Sequence, residues 1–154
     1  MSTVALTLPT AFPVVGLGIV STVFLNLYQQ FLVIKARKES GVSYPTLYVS
    51  EADAKADAKK MKYQCTQRAN QNTLESIPFV LSLLLFLGLF HPRVATGFTL
   101  SWVVGRIAYT NGYSTGIAAN RTKGVVGKLQ YIGLLGLIFG SLYTAGEKTY
   151  ALYF

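Results

Sequence analysis

Charge is scarce in the first quarter of this 154-residue chain: no Asp, Glu, Lys, Arg or His occurs from residue 1 to Ile34. That run exceeds the ~20 apolar residues that cross hydrocarbon, and it lacks the basic start and small-residue cleavage site of a removed leader. It reads as a retained membrane span. Acidic residues are few as well, 6 against 14 Lys and Arg. A single cysteine, Cys65, excludes an intrachain disulfide. The only histidine, His91, is expected on the opposite side of the membrane from Cys65, so no four-ligand metal site can form. Nucleic-acid binding is disfavoured because the basic residues flank apolar runs and no nucleic-acid motif accompanies them.

What is present is apolar surface. Hydrophobic residues make up 51% of the chain and the mean hydropathy is +0.40. Three further apolar stretches follow: Ser76 to Phe90, Val94 to Tyr113 with only Arg106 charged, and Val125 to Ala145 with only Lys128 charged. The second stretch is long enough to cross only if its helix reaches back to about Arg68. The expected fold is an all-α membrane protein. A single four-transmembrane-helix domain occupies residues 1–154, with spans near 12–34, 68–90, 94–113 and 125–145 and a long first loop at 35–67. Pro78 predicts a kink or a freed Leu74 carbonyl, and Pro92 predicts a tight link after His91. Glycines 133, 136 and 140 predict close helix packing along the last span.

Basic residues orient the spans. Eleven lie in or beside the first and third loops, against Arg93 and Lys148 on the other side. The positive-inside rule therefore puts those loops in the cytosol and both termini opposite. In the first loop, residues 50–62 mix alanine with charge and predict an exposed helical extension or a mobile stretch.

Polar groups inside or beside the spans are the candidate site. Arg68, Asn72 and Glu75 stand at i, i+4 and i+7, hence on one helix face, where a cation, an amide and an anion make a poor lipid contact. Such a face serves either a polar ligand or a wetted interface pairing within itself. Arg106, Tyr109 and Tyr113 share a second stripe, with Arg106 expected as a structural tether inside the bundle. The basic runs Lys35-Ala36-Arg37-Lys38 and Asn120-Arg121-Thr122-Lys123 come down on the same membrane face. Together these groups suit a small zwitterion with excess negative charge: arginines for carboxylates, Glu75 for an ammonium, phenols for a further acceptor. Cys65 reads as an incidental interfacial thiol.

The run Lys35-Ala36-Arg37-Lys38 with Tyr44-Pro45, the block Cys65-Thr66-Gln67-Arg68-Ala69-Asn70-Gln71-Asn72-Thr73-Leu74-Glu75, the run His91-Pro92-Arg93-Val94-Ala95, and Gly105-Arg106 through Tyr109 to Gly112-Tyr113 carry a family likeness. The chain resembles the membrane-associated proteins in eicosanoid and glutathione metabolism, most closely their type 3 microsomal glutathione transferase branch. The resemblance implies a homotrimer with glutathione as cosubstrate, held between subunits near the cytosolic face. It implies glutathione contacts from Arg37, Arg68, Asn70, Asn72, Glu75, Tyr109 and Tyr113, and a basic group at Lys38 near the acceptor. It further implies an arginine before the fourth span that stabilises the glutathione thiolate, assigned to Arg121 with Lys123 as the rival. The implied activity is glutathione transfer to lipophilic electrophiles or reduction of lipid hydroperoxides, in the endoplasmic reticulum or, alternatively, the mitochondrial outer membrane. Ser76 stands where the leukotriene-forming branch has tyrosine, and Asn70 where many relatives have histidine or glutamine. A non-catalytic lipid-binding scaffold of the same fold is the alternative from another class, and an anion transporter using Arg106 is a third.

Overall fold

The computed structural model describes residues 7–153, which form helices and turns without a strand. Helix α1 spans Val15–Ser40 and follows a 3-10 turn at Phe12–Val14 that carries Pro13. It continues past the expected end of the first span through the good helix formers Lys35 to Glu39. Gly41 stops it by adopting a left-handed conformation, φ 68°.

The alanine and charge-rich stretch of the first loop is largely helical. Ser50 caps the short α2, Glu51–Ala56, its Oγ accepting from the Asp53 N–H at 3.0 Å. Asp57 then caps α3, Ala58–Gly88, accepting from the Lys59 N–H at 2.8 Å. Helix α3 runs unbroken through Pro78 and carries the polar block and the apolar span in one piece. Residues 89–91 link it to α4, Pro92–Tyr113, whose first position is a proline that needs no N–H partner there. Two further 3-10 turns, Ala118–Thr122 and Val126–Lys128, lead into α5, Leu129–Tyr153, which extends beyond residue 145.

The four long helices pack side by side, with α4 touching each of the other three. Val15, Leu25, Val80, Leu84, Leu87, Ala95, Trp102, Val103 and Leu137 fill an apolar core. Large apolar side chains such as Leu17, Phe24, Phe31, Phe79, Phe139 and Leu142 lie on the outside, the inversion expected of a lipid-facing surface. Three helical stretches, Phe12–Ser40, Ala58–Gly88 and Val126–Tyr153, are long and apolar enough to cross a membrane. Helix α4 carries Thr96, Thr99, Arg106 and Thr110, all of them buried against the other helices.

Backbone contact joins α4 to α5. A Cβ on Gly133 would lie 2.5 Å from the Trp102 nitrogen and 2.8 Å from its Cα, so only glycine permits this approach. Gly105 makes the reciprocal approach to the Gln130 backbone. The close crossing brings Gln130 against Arg106.

Candidate functional site

A buried polar layer lies at one end of the core. Gln29 of α1 donates to Thr73 of α3 at 2.8 Å and to Thr110 of α4 at 2.6 Å. Thr73 in turn accepts from Arg106 Nε at 3.1 Å and from Nη2 at 2.6 Å. Arg106 Nη1 donates to Gln130 Oε1 of α5 at 3.0 Å, and Nη2 reaches Asn72 Oδ1 at 3.0 Å. Arg106 of α4, 4% exposed, thus holds α3 and α5 directly, and α1 joins the layer through Gln29 on Thr73. The flat face of the guanidinium lies 4.3 Å from the centre of the Tyr109 ring. Among the described residues Arg106 forms no ion pair, so its charge is balanced by neutral oxygen acceptors alone.

Outside this layer, α3, α4 and the Arg121 turn border a cavity of about 370 Å³. Asn72 and Ser76 line it from α3, Trp102, Arg106 and Tyr109 from α4, Arg121 and Thr122 from the turn, and Gln130, Tyr131 and Leu134 from α5. Tyr109 and Tyr113 meet edge to face at 5.7 Å, one turn apart on α4. The Arg121 guanidinium stands 5.3 Å from the Tyr113 ring centre, with Nη1 donating to the Ala118 carbonyl at 2.7 Å. Two arginines and no carboxylate line this cavity, so its field favours an anion.

Arg68 and Glu75 lie on the neighbouring surface of α3 and pair at 2.8 Å, each side chain nearly half exposed. A pair so exposed is stabilised by little, about 0–1 kcal/mol, and is free to exchange its partner for the two ends of a zwitterion. Arg68 and Tyr113 also border a second cavity, about 290 Å³, with Tyr48, Met61, Gln64, Cys65 and Ala118. Tyr48 donates to Gln71 and so fixes the first loop over this opening.

Other residues expected at the site stand elsewhere in the chain. Arg37 is buried between the rings of Tyr44 and Tyr63, at 4.3 and 4.8 Å, and Nη1 donates to the Thr46 carbonyl at 2.8 Å. It clamps residues 43–46 of its own loop. Lys38 is exposed and borders, with Arg37, a separate cavity of about 250 Å³. Asn70 points into the bundle, its Nδ2 at 3.5 Å from Gln29 Oε1, rather than along the face of Arg68, Asn72 and Glu75. Lys123 is exposed and borders neither the Arg121 nor the Arg68 cavity.

Gln29, Thr73 and Gln130 carry the buried layer, although sequence reasoning did not single them out. Gln29 and Gln130 had a legible signal: each is an amide set in a run otherwise fit for lipid. Thr73 had none, since a threonine can satisfy itself on its own helix, as this one does with the Ala69 carbonyl at 3.0 Å. A family model described as MAPEG family matches residues 15–143.

Proposed function

Because the chain belongs to the MAPEG family, we propose that it is a membrane transferase and peroxidase that activates glutathione as a thiolate. The acceptors are lipophilic electrophiles, which are conjugated, or lipid hydroperoxides, which are reduced. The observation that carries this reading is the anion-favouring cavity where Asn72, Tyr109 and Arg121 meet, beside the exchangeable Arg68 and Glu75 pair. Glutathione offers two carboxylates and one ammonium, matching two or more arginines and a single glutamate.

The thiol requires only one cation. A thiol of pKa ~8.5 is a few per cent thiolate at neutral pH. Lowering that value by ~2 units takes roughly 2.7 kcal/mol of preferential stabilisation. One charge-assisted hydrogen bond from Arg121 is of that order. Arg121 takes this role over Lys123 because it borders the cavity beside Tyr109. The thiolate sulfur then forms a C–S bond with the electrophile, which expels its leaving group or takes up a proton; with a hydroperoxide it attacks the terminal oxygen, the O–O bond breaks and the alcohol leaves, and a second glutathione converts the sulfenic acid to disulfide and water.

The working unit in this proposal is a homotrimer of four-span subunits in the endoplasmic reticulum, α4 crossing with the other three and the basic loops in the cytosol. Eleven basic residues against two support that orientation. Arg37 and Lys38 serve glutathione and the acceptor across a subunit boundary, which their separate cavity within one subunit supports. The test is the absorbance of the thiolate when glutathione is added to the detergent-solubilised protein near neutral pH. Wild type and Lys123→Ala should give the signal and Arg121→Ala should not. An undiminished signal in Arg121→Ala would reject the assigned role, and absence of both signal and saturable glutathione binding in wild type would favour the lipid-binding scaffold.

A further inference from the structure

We propose that Arg106 and Gln130 are positioning residues that fix the Asn72 amide with its oxygen inward and its NH2 toward the cavity, as a preset donor for an acceptor group of glutathione. The inference rests on the glutathione reading above, and its argument is one of donors and acceptors.

A guanidinium has five N–H donors and no acceptor, so any amide atom facing it must be oxygen. Arg106 Nη2 stands 3.0 Å from the Asn72 side-chain oxygen, which leaves the Asn72 NH2 as the group available outward. Asn72 is half-buried and lines the cavity, so this NH2 faces where a ligand would sit. The guanidinium cannot turn away from the task. Thr73 Oγ1 accepts from both Nε and Nη2, and that same hydroxyl donates its hydrogen to the Ala69 carbonyl at 3.0 Å. Tyr109 covers one face of the guanidinium.

Gln130 secures the remaining side, and its own orientation is fixed at both ends. Its Nε2 donates to the Gly127 carbonyl at 2.9 Å, so its Oε1 must be the atom that receives Arg106 Nη1 at 3.0 Å. Gln130 is 5% exposed, so a lost partner leaves a polar group with little solvent contact. A chain of obligatory directions thus runs from the start of α5 through α4 to the ligand-facing amide of α3. The buried charge adds to it, since an NH2 bonded through its oxygen to a cation is a stronger donor toward an acceptor. A donor held in place before binding avoids the ordering cost that a freely flipping amide would incur.

Two substitutions separate positioning from packing. Asn72→Asp keeps an oxygen for Arg106 but replaces the NH2 with a second oxygen, so it should melt no lower than wild type yet bind glutathione about tenfold or more weakly by titration calorimetry. Gln130→Met removes the acceptor at nearly constant volume. It should weaken glutathione binding about tenfold alone and add almost nothing in an Asn72→Ala background, because it acts through Asn72. Asn72→Asp with wild-type affinity, or Gln130→Met losses equal in both backgrounds, would overturn the inference. If Gln130→Met does not assemble, Gln130→Ala takes its place in both backgrounds with the same two outcomes, because Asn72→Asp also adds a negative charge to the cavity. Wild type without saturable glutathione binding would instead refute the glutathione reading and this inference with it.

Discussion

Replacing Gly105 by alanine adds one methyl group and should be among the most damaging single changes in the bundle. The added Cβ would fall on the Gln130 backbone nitrogen and 2.8 Å from the Gln130 Cα. Backbone cannot swing aside as a side-chain tip can, so α4 and α5 must part by about 1 Å, an overpacking cost of about 1–3 kcal/mol. The separation also stretches the 3.0 Å hydrogen bond from Arg106 Nη1 to Gln130. Weakening a buried bond to a charged group adds on the order of 1.5–3 kcal/mol. A total near 4 kcal/mol corresponds to roughly 10 °C in melting temperature for a chain of this size. Gly97 on the same helix is the control, since a Cβ there meets nothing within 4 Å. Gly97→Ala should leave the melting temperature unchanged or raise it slightly, by the ~0.5–1 kcal/mol of better helix propensity. The assay is thermal unfolding in detergent followed by circular dichroism. Equal melting temperatures for the two variants would refute backbone contact between α4 and α5.

Two further outcomes follow from the site. Glu75→Gln removes an exposed pair partner of Arg68, so stability should change by less than about 1 kcal/mol while glutathione affinity falls about tenfold; titration calorimetry and melting on one preparation check both, and unchanged affinity would remove Glu75 from the site. Gly112→Ala would set a Cβ 2.9 Å from the Asn120 carbonyl carbon and 3.2 Å from the Arg121 Cα. Displacing the Arg121 turn by about 1 Å should lower kcat about a hundredfold with little change in KM for glutathione, and an unchanged kcat would refute the role of Arg121 geometry.

The stripes of Arg68, Asn72 and Glu75 and of Arg106, Tyr109 and Tyr113 were legible in the sequence because helical spacing is local. Whether their members share one environment was not. Asn72 joins Arg106 and the larger cavity, while Arg68 and Glu75 pair on the exposed surface beside it. Asn70, two residues from Asn72, faces inward to Gln29 because a two-residue step turns a helix through more than half a circle. Arg37 was readable as a cation near the membrane face, yet its clamp on residues 43–46 depends on how the loop folds back over Tyr63.

By itself, the sequence determined the helical class, the apolar segments and the break at Pro92. Those features depend on composition and on spacing within one segment, where chain connectivity already fixes the geometry. Only the tertiary structure decided which amide receives Arg106, that Arg121 rather than Lys123 borders the cavity, and that Gln130 belongs to the buried layer. These outcomes depend on the register of one helix against another. That register is set by the glycine contacts between α4 and α5, which bring together groups more than twenty residues apart in the chain.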